Sequence, residues 1–181
     1  MQGCPTNVLT SQLLGLGGAT TLVLSGCLAA GLLVASAVVP SRIARARGLP
    51  PTVRVWSLDE PWGYTPASAY SILETLGTGG RDLAVLMHIT LDSALPLAYA
   101  FFLTSLSVTA WGPGRGSQLL VVPLLAALAD YSENSAIIVM ARRFSSQPRL
   151  APTVAWLSSC TKWILLLLSV ALTAYGFVSR R

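Results

Sequence analysis

Seven residues carry most of the chemistry open to this chain: His88, Asp92, Tyr99, Asp130, Glu133, Asn134 and Lys162. His88 and Lys162 are the only histidine and the only lysine among 181 residues. Asp130, Glu133 and Asn134 fall within one helical turn inside "LLAALADYSENSAIIVM", residues 124–140, a stretch that is otherwise apolar at both ends. In such surroundings a carboxylate can pair with an ammonium, carry a proton, accept a hydrogen bond or ligate a metal. Helical spacing predicts two polar stripes, one of His88, Asp92, Pro96 and Tyr99, the other of Ser158, Lys162, Ser169 and Thr173. A single histidine, about 8 Å from the end of its segment by helical rise, reads as an interfacial polar residue rather than a ligand. No metal and no cofactor are expected. The absence of a nucleophile elbow, P-loop, dinucleotide fingerprint or zinc motif leans against an enzyme.

These residues need elements to hold them, and the composition says which. The chain is 53% hydrophobic and 10% charged, far from the roughly one quarter charged of a soluble domain. Four apolar stretches, about 13–39, 83–108, 119–141 and 152–178, are each long enough to cross a hydrocarbon core of about 30 Å. The sequence therefore predicts an all-α polytopic membrane protein, a four-helix bundle forming a single membrane domain over residues 1–181. In the first helix "LSGC" resembles a lipoprotein cleavage site, but the apolar run continues past Cys27 to Val39, as an uncleaved helix would. Gly26 with Ala30, and Gly31 with Ala35, give small-residue spacings that admit a neighbouring helix closely. Cys4, Cys27 and Cys160 show neither disulfide nor zinc spacing.

A polar loop, about residues 41–82, separates the first two helices. "RARGLPP" stops a helix, and Thr65 and Pro66 open a short amphipathic one with Ala69, Ile72, Leu73 and Leu76 on one face, ending at Gly77. That segment is expected to lie along the membrane surface, with Trp56, Trp62, Tyr64 and Tyr70 as interfacial anchors. "WGPGRGS", residues 111–117, reads as a tight turn that makes helices two and three antiparallel neighbours. Loops one and three hold Arg42, Arg45, Arg47, Arg54, Arg81, Arg142, Arg143 and Arg149, against Arg115, Arg180 and Arg181 on the other side. The positive-inside rule then puts loops one and three in the cytoplasm (or in the matrix or stroma) and both termini opposite. The net charge of +5 sits at segment edges without aromatic interleaving, so nucleic acid is not expected as a partner.

Helical rise places Asp92 about 14 Å and Lys162 about 15 Å from the inner side, with Asp130 about 17 Å and Glu133 about 21 Å from the outer side. All four reach overlapping middle depths. About ten strongly apolar residues favour insertion of helix three by roughly 3 to 6 kcal/mol, while two central acids oppose it by roughly 5 to 7. That helix needs its neighbours, and Lys162 is the evident partner, with Asn134, Ser158 and Thr161 completing hydrogen bonds between helices. Three acids against one lysine leave a deficit of two charges, so at least one acid is expected to carry a proton or to be compensated by a cation.

"GYTPASAYSILETLGTGGRD", "LDSALPLAYAFF", "LAALADYSENSA" and "CTKW", in this order, resemble small uncharacterised four-helix membrane proteins to which no activity is attached. In size and interior acids the chain is also similar in architecture to the four-helix sterol isomerase and sigma-2 receptor superfamily. That resemblance implies a lipid-like ligand. The reading from the residues is a protein that binds or moves a lipid-like or small amphiphilic molecule at the polar cluster. Two alternatives stand beside it: an accessory subunit docking in a homo-oligomer or membrane complex through the small-residue face of helix one, its cluster a structural ion pair, or proton- or cation-coupled transport.

Overall fold

The computed structural model describes residues 15, 18–50, 58–59 and 62–179, and among them every regular element is helical. The elements are α1 (Ala19–Ala46), α2 (Ala69–Ile89), α3 (Leu91–Trp111), α4 (Pro113–Gln118), α5 (Val121–Arg142), a 3-10 turn (Phe144–Ser146) and α6 (Ala151–Val178). Four stretches are long and apolar enough to cross a membrane: Ala19–Ala46, Ala69–Trp111, Pro113–Arg142 and Ala151–Val178. The polarity of the packing fits that use. Val23, Leu24, Leu33 and Val34 of α1, Leu128 of α5, and Ile164 and Leu167 of α6 face outward, while Asp92, Asp130, Glu133, Lys162, Ser169 and Thr173 face inward.

Boundaries differ from the sequence reading where caps decide them. Helix one runs past Val39 and through Pro40 to Ala46, so Arg42 and Arg45 are helical. It ends in a Schellman pattern, with Gly48 at φ 69°, its N–H donating to Arg45 O, and the Leu49 N–H donating to Ala44 O. The expected start at residue 13 lies outside the described residues, as does Trp56. Helix two, expected as one span over 83–108, already runs from Thr78 and breaks at Thr90 (φ −101°, ψ −87°) before continuing as α3. The expected tight turn contains a further short helix, α4, with Pro113 at its start.

The short amphipathic segment does end at Gly77, whose φ of 64° and ψ of −179° interrupt α2. Its apolar face does not turn toward lipid. Ala69, Leu73 and Leu76 pack in one cluster with Leu58, Tyr64, Ile137, Met140 and Ala155, because the ends of α5 and α6 offer apolar surface there. Tyr64, read as an interfacial anchor, is part of this core, and Tyr70 is half-buried with its hydroxyl donating to Pro148 O at 2.9 Å. Trp62 alone of the described anchors is well exposed. Arg81 secures the turn: its guanidinium donates to Leu73 O at 3.0 Å and lies 4.1 Å above the Phe144 ring.

Helices α5 and α6 form the most extensive contact, and α1 rests chiefly on α3. The small residues of α1 divide between two surroundings. Gly26 meets Phe102, whereas Gly31 has open space beside it. At the far end Ser107 and Thr173 share a hydrogen bond of 2.9 Å, and the Trp111 indole donates to Leu172 O at 3.0 Å.

A backbone of φ 64° with ψ near 180° is open in practice only to glycine, at about 1–3 kcal/mol for other residues. Gly77→Ala is expected to lose that much stability, read as a lower thermal midpoint in detergent, and to loosen Leu73 and Leu76 in the cluster they share with Leu58 and Tyr64.

Candidate functional site

The lone lysine organises the interior. Lys162 projects from α6 about 16 Å along the helix from Ala151, at helical rise, and its side chain is almost wholly buried. Its ammonium lies 2.7 Å from Glu133 Oε2, 2.8 Å from Asp59 Oδ1 and 3.3 Å from Asp130 Oδ1. Asp130 and Glu133 are three residues apart on α5, so both carboxylates leave the same face. The Tyr99 hydroxyl of α3 donates to the other oxygen of Asp130 at 3.1 Å.

Asp59 was not foreseen as part of this cluster. It belongs to the long first loop, which dips inward rather than staying at the surface. Leu58 is 1% exposed and enters the core, and Ser159 of α6 donates to the Asp59 carbonyl at 3.3 Å. The ring of Trp62 lies 5.5 Å from that of Trp163, next to Lys162 in sequence. The Asp59 side chain stays 28% open, which makes it the one member of the ammonium's shell reachable from outside. Burial raises its carboxyl above the ordinary carboxylate range, with Lys162 pulling it back. One signal in the sequence was available: Asp59 stands among Trp56, Leu58, Trp62 and Tyr64, a local run of large apolar side chains within the polar loop.

The remaining predicted residues form a second group beside the first. His88 is 1% exposed and packed against neighbouring helices. Its Nδ1 lies 2.8 Å from Asp92 Oδ2 and 3.0 Å from Asn134 Oδ1. Both are acceptors, so Nδ1 carries the proton and donates to them. Asn134 is oriented by its other end. Pro96 cannot donate to the carbonyl of Asp92, four residues before it, and Asn134 Nδ2 does so instead at 3.1 Å. Ser93 Oγ donates to His88 O at 2.8 Å across the Thr90 break, so His88 and Asp92 keep a common face although two helices carry them. Tyr131 of α5 donates to Ser93 O at 2.7 Å and ties α5 to α3.

Asp92 is thus a partner of His88 and Asn134, not of Lys162. On α6 the inward face carries Ser159, not Ser158, together with Lys162, Ser169 and Thr173. Thr161 turns outward and donates to Leu157 of its own helix. His88 and Asp92 do not join Asp130 and Glu133 in one donor set, because that pair is bonded to itself and to Asn134. One carboxylate oxygen each of Asp59, Asp130 and Glu133 do lie within 4.8 Å of one another. Four of the chain's seven acids therefore surround its single lysine and single histidine. A comparison of the chain with protein-family models, with curated proteins and with solved structures finds no match to any of them.

Removing one partner of a buried ion cluster costs about 3–5 kcal/mol, because the others are left uncompensated. Lys162→Met is expected to destabilise by that order in detergent thermal unfolding. The same change in a chain already carrying Asp59→Asn, Asp130→Asn and Glu133→Gln is expected to cost less than half as much, since no carboxylates remain to repel one another.

Proposed function

We propose that this protein binds or moves a lipid-like or small amphiphilic molecule beside its acid–lysine centre. The observation that carries the reading is a groove of about 530 Å³ between α5 and α6, lined by Leu128, Tyr131, Ser132, Ser135, Ala136, Val139, Ala151 and Val154. Most of that wall is apolar, and its three hydroxyl-bearing residues come from the same turns of α5 as Asp130 and Glu133. An acyl or ring system lying in the groove has its polar end within a turn of the charged centre. In this reading the four long helices cross the bilayer as a bundle. Loops one and three lie in the cytoplasm, where Arg42, Arg45, Arg81, Arg142, Arg143 and Arg149 meet anionic headgroups. Packing supports the grouping of those arginines: Ala44 at the end of α1 touches Leu83 and Met87, and Arg81 stacks on Phe144 after α5.

A second reading rests on a different observation. The ammonium of Lys162 meets three carboxylates at once, which suits a cluster serving to lock helices and loop together in an accessory subunit. Such a subunit leaves a membrane in mild detergent as a particle much larger than one chain.

Ser135 is exposed in the groove, its hydroxyl donating to Tyr131 O of its own helix, so Ser135→Trp fills the groove without disturbing the interior. Native mass spectrometry of purified protein is expected to find retained lipid in wild type and at least about threefold less in this variant, through lost apolar contact, at an unchanged unfolding midpoint. Equal retention in both, or none in either, would sink the proposal.

A further inference from the structure

The shell around Lys162 uses only part of the oxygen atoms assembled there. Glu133 turns Oε2 toward the ammonium, and its Oε1, in a residue wholly shielded from solvent, has no hydrogen-bond partner among the described residues. Tyr64 is 95% buried by its 5% exposure, and its hydroxyl likewise has no partner. The phenol senses Glu133 first and Asp59 next among the charges near it, and burial with those two carboxylates holds it far above its ordinary range, neutral and with its oxygen lone pairs available. Asp59 contributes a further oxygen at the open edge.

Buried oxygens in this number rarely stay unsatisfied, and here their charges are also unbalanced. Asp59, Asp130 and Glu133 carry three formal negative charges against the single positive charge of Lys162. In a medium of low dielectric that surplus calls for positive charge on the face of Glu133 away from the lysine. The proposed donors are hard oxygen: two carboxylates and a phenol. Such donors suit alkali and alkaline-earth ions, and an irregular oxygen shell suits the flexible coordination of sodium or calcium, at about 2.4 Å, better than magnesium, which demands near-ideal octahedral geometry at about 2.0–2.1 Å.

We propose that the centre binds a hard metal cation of sodium or calcium size next to Lys162, held by Glu133 Oε1, the Tyr64 hydroxyl and Asp59, and entered past Asp59 from the loop. The cation and the ammonium then share Glu133 across its two oxygens. Loop one, through Asp59 and Tyr64, supplies two of the three ligands. Binding therefore tightens the loop against α6.

The test uses the full chain in a mild nonionic detergent and follows its unfolding midpoint by tryptophan fluorescence. Sodium chloride is compared with choline chloride at equal ionic strength, and calcium chloride with magnesium chloride, across a range of pH. A saturable rise with sodium or with calcium, absent with choline and weaker with magnesium, is the expected result, and whichever ion gives it names the cation. Tyr64→Phe is expected to keep the cation-free midpoint, because the hydroxyl it removes has no partner among the described residues, and to raise the half-saturating concentration about fivefold. Three outcomes would overturn the proposal: choline matching the metal ions, a midpoint that follows pH alone so that protons balance the charge, or unchanged half-saturation in Tyr64→Phe. None of these bears on whether lipid occupies the groove between α5 and α6.

Discussion

The structure depends on one charge that cannot be left alone. An ammonium in a low-dielectric interior loses several kcal/mol of hydration, and only close, well-aligned anions offset that loss. Lys162 gathers them from α5, where Asp130 and Glu133 leave one face, and from the first loop, where Asp59 arrives from far along the sequence. The fold follows from this need. Helices α5 and α6 pack most extensively, and the loop that brings Asp59 must fold inward, carrying Leu58 and Tyr64 into the core with it.

Around that centre, breaks in helical regularity are used as connections. Pro96 frees the Asp92 carbonyl, and Asn134 takes it, which leaves Asn134 Oδ1 facing His88. The break at Thr90 frees the His88 carbonyl, and Ser93 takes that. Gly77 turns the chain so that a short apolar helix covers the ends of α5 and α6, with Arg81 bonded to a carbonyl of the preceding turn. Each break loses one backbone hydrogen bond, and each is answered by a side chain from a neighbouring turn or helix.

The two groups differ in how open they are. The His88–Asp92–Asn134 group is sealed and links α2, α3 and α5, a role that needs no ligand. The Lys162 group has surplus acid, unused oxygens and one edge open at Asp59. An excess of like charge in a buried place is relieved either by a proton on one carboxyl or by an added positive partner. The groove between α5 and α6 is lined by Tyr131, Ser132 and Ser135, which alternate along α5 with the acids that face Lys162.

Helix type and membrane character were legible in the residues, because apolar runs of this length and so few charges leave a chain little else to form. So were the inward residues of α5, since spacing of three and four fixes which side chains share a face. What spacing cannot carry is contact between segments. It placed Asp92 with Lys162 by equal depth, whereas the rotation of α3 set by Pro96 and Thr90 turns Asp92 to His88 and Asn134. It chose Ser158 where the packing of α6 chose Ser159. It left Asp59 and Tyr64 in a surface loop, because a loop has no period from which its direction can be read. Depth along an axis is local information and lies in the sequence. Rotation about that axis, and the path of an irregular loop, are decided by which partners leave the fewest charges and carbonyls unmet, and only the tertiary structure resolves that competition.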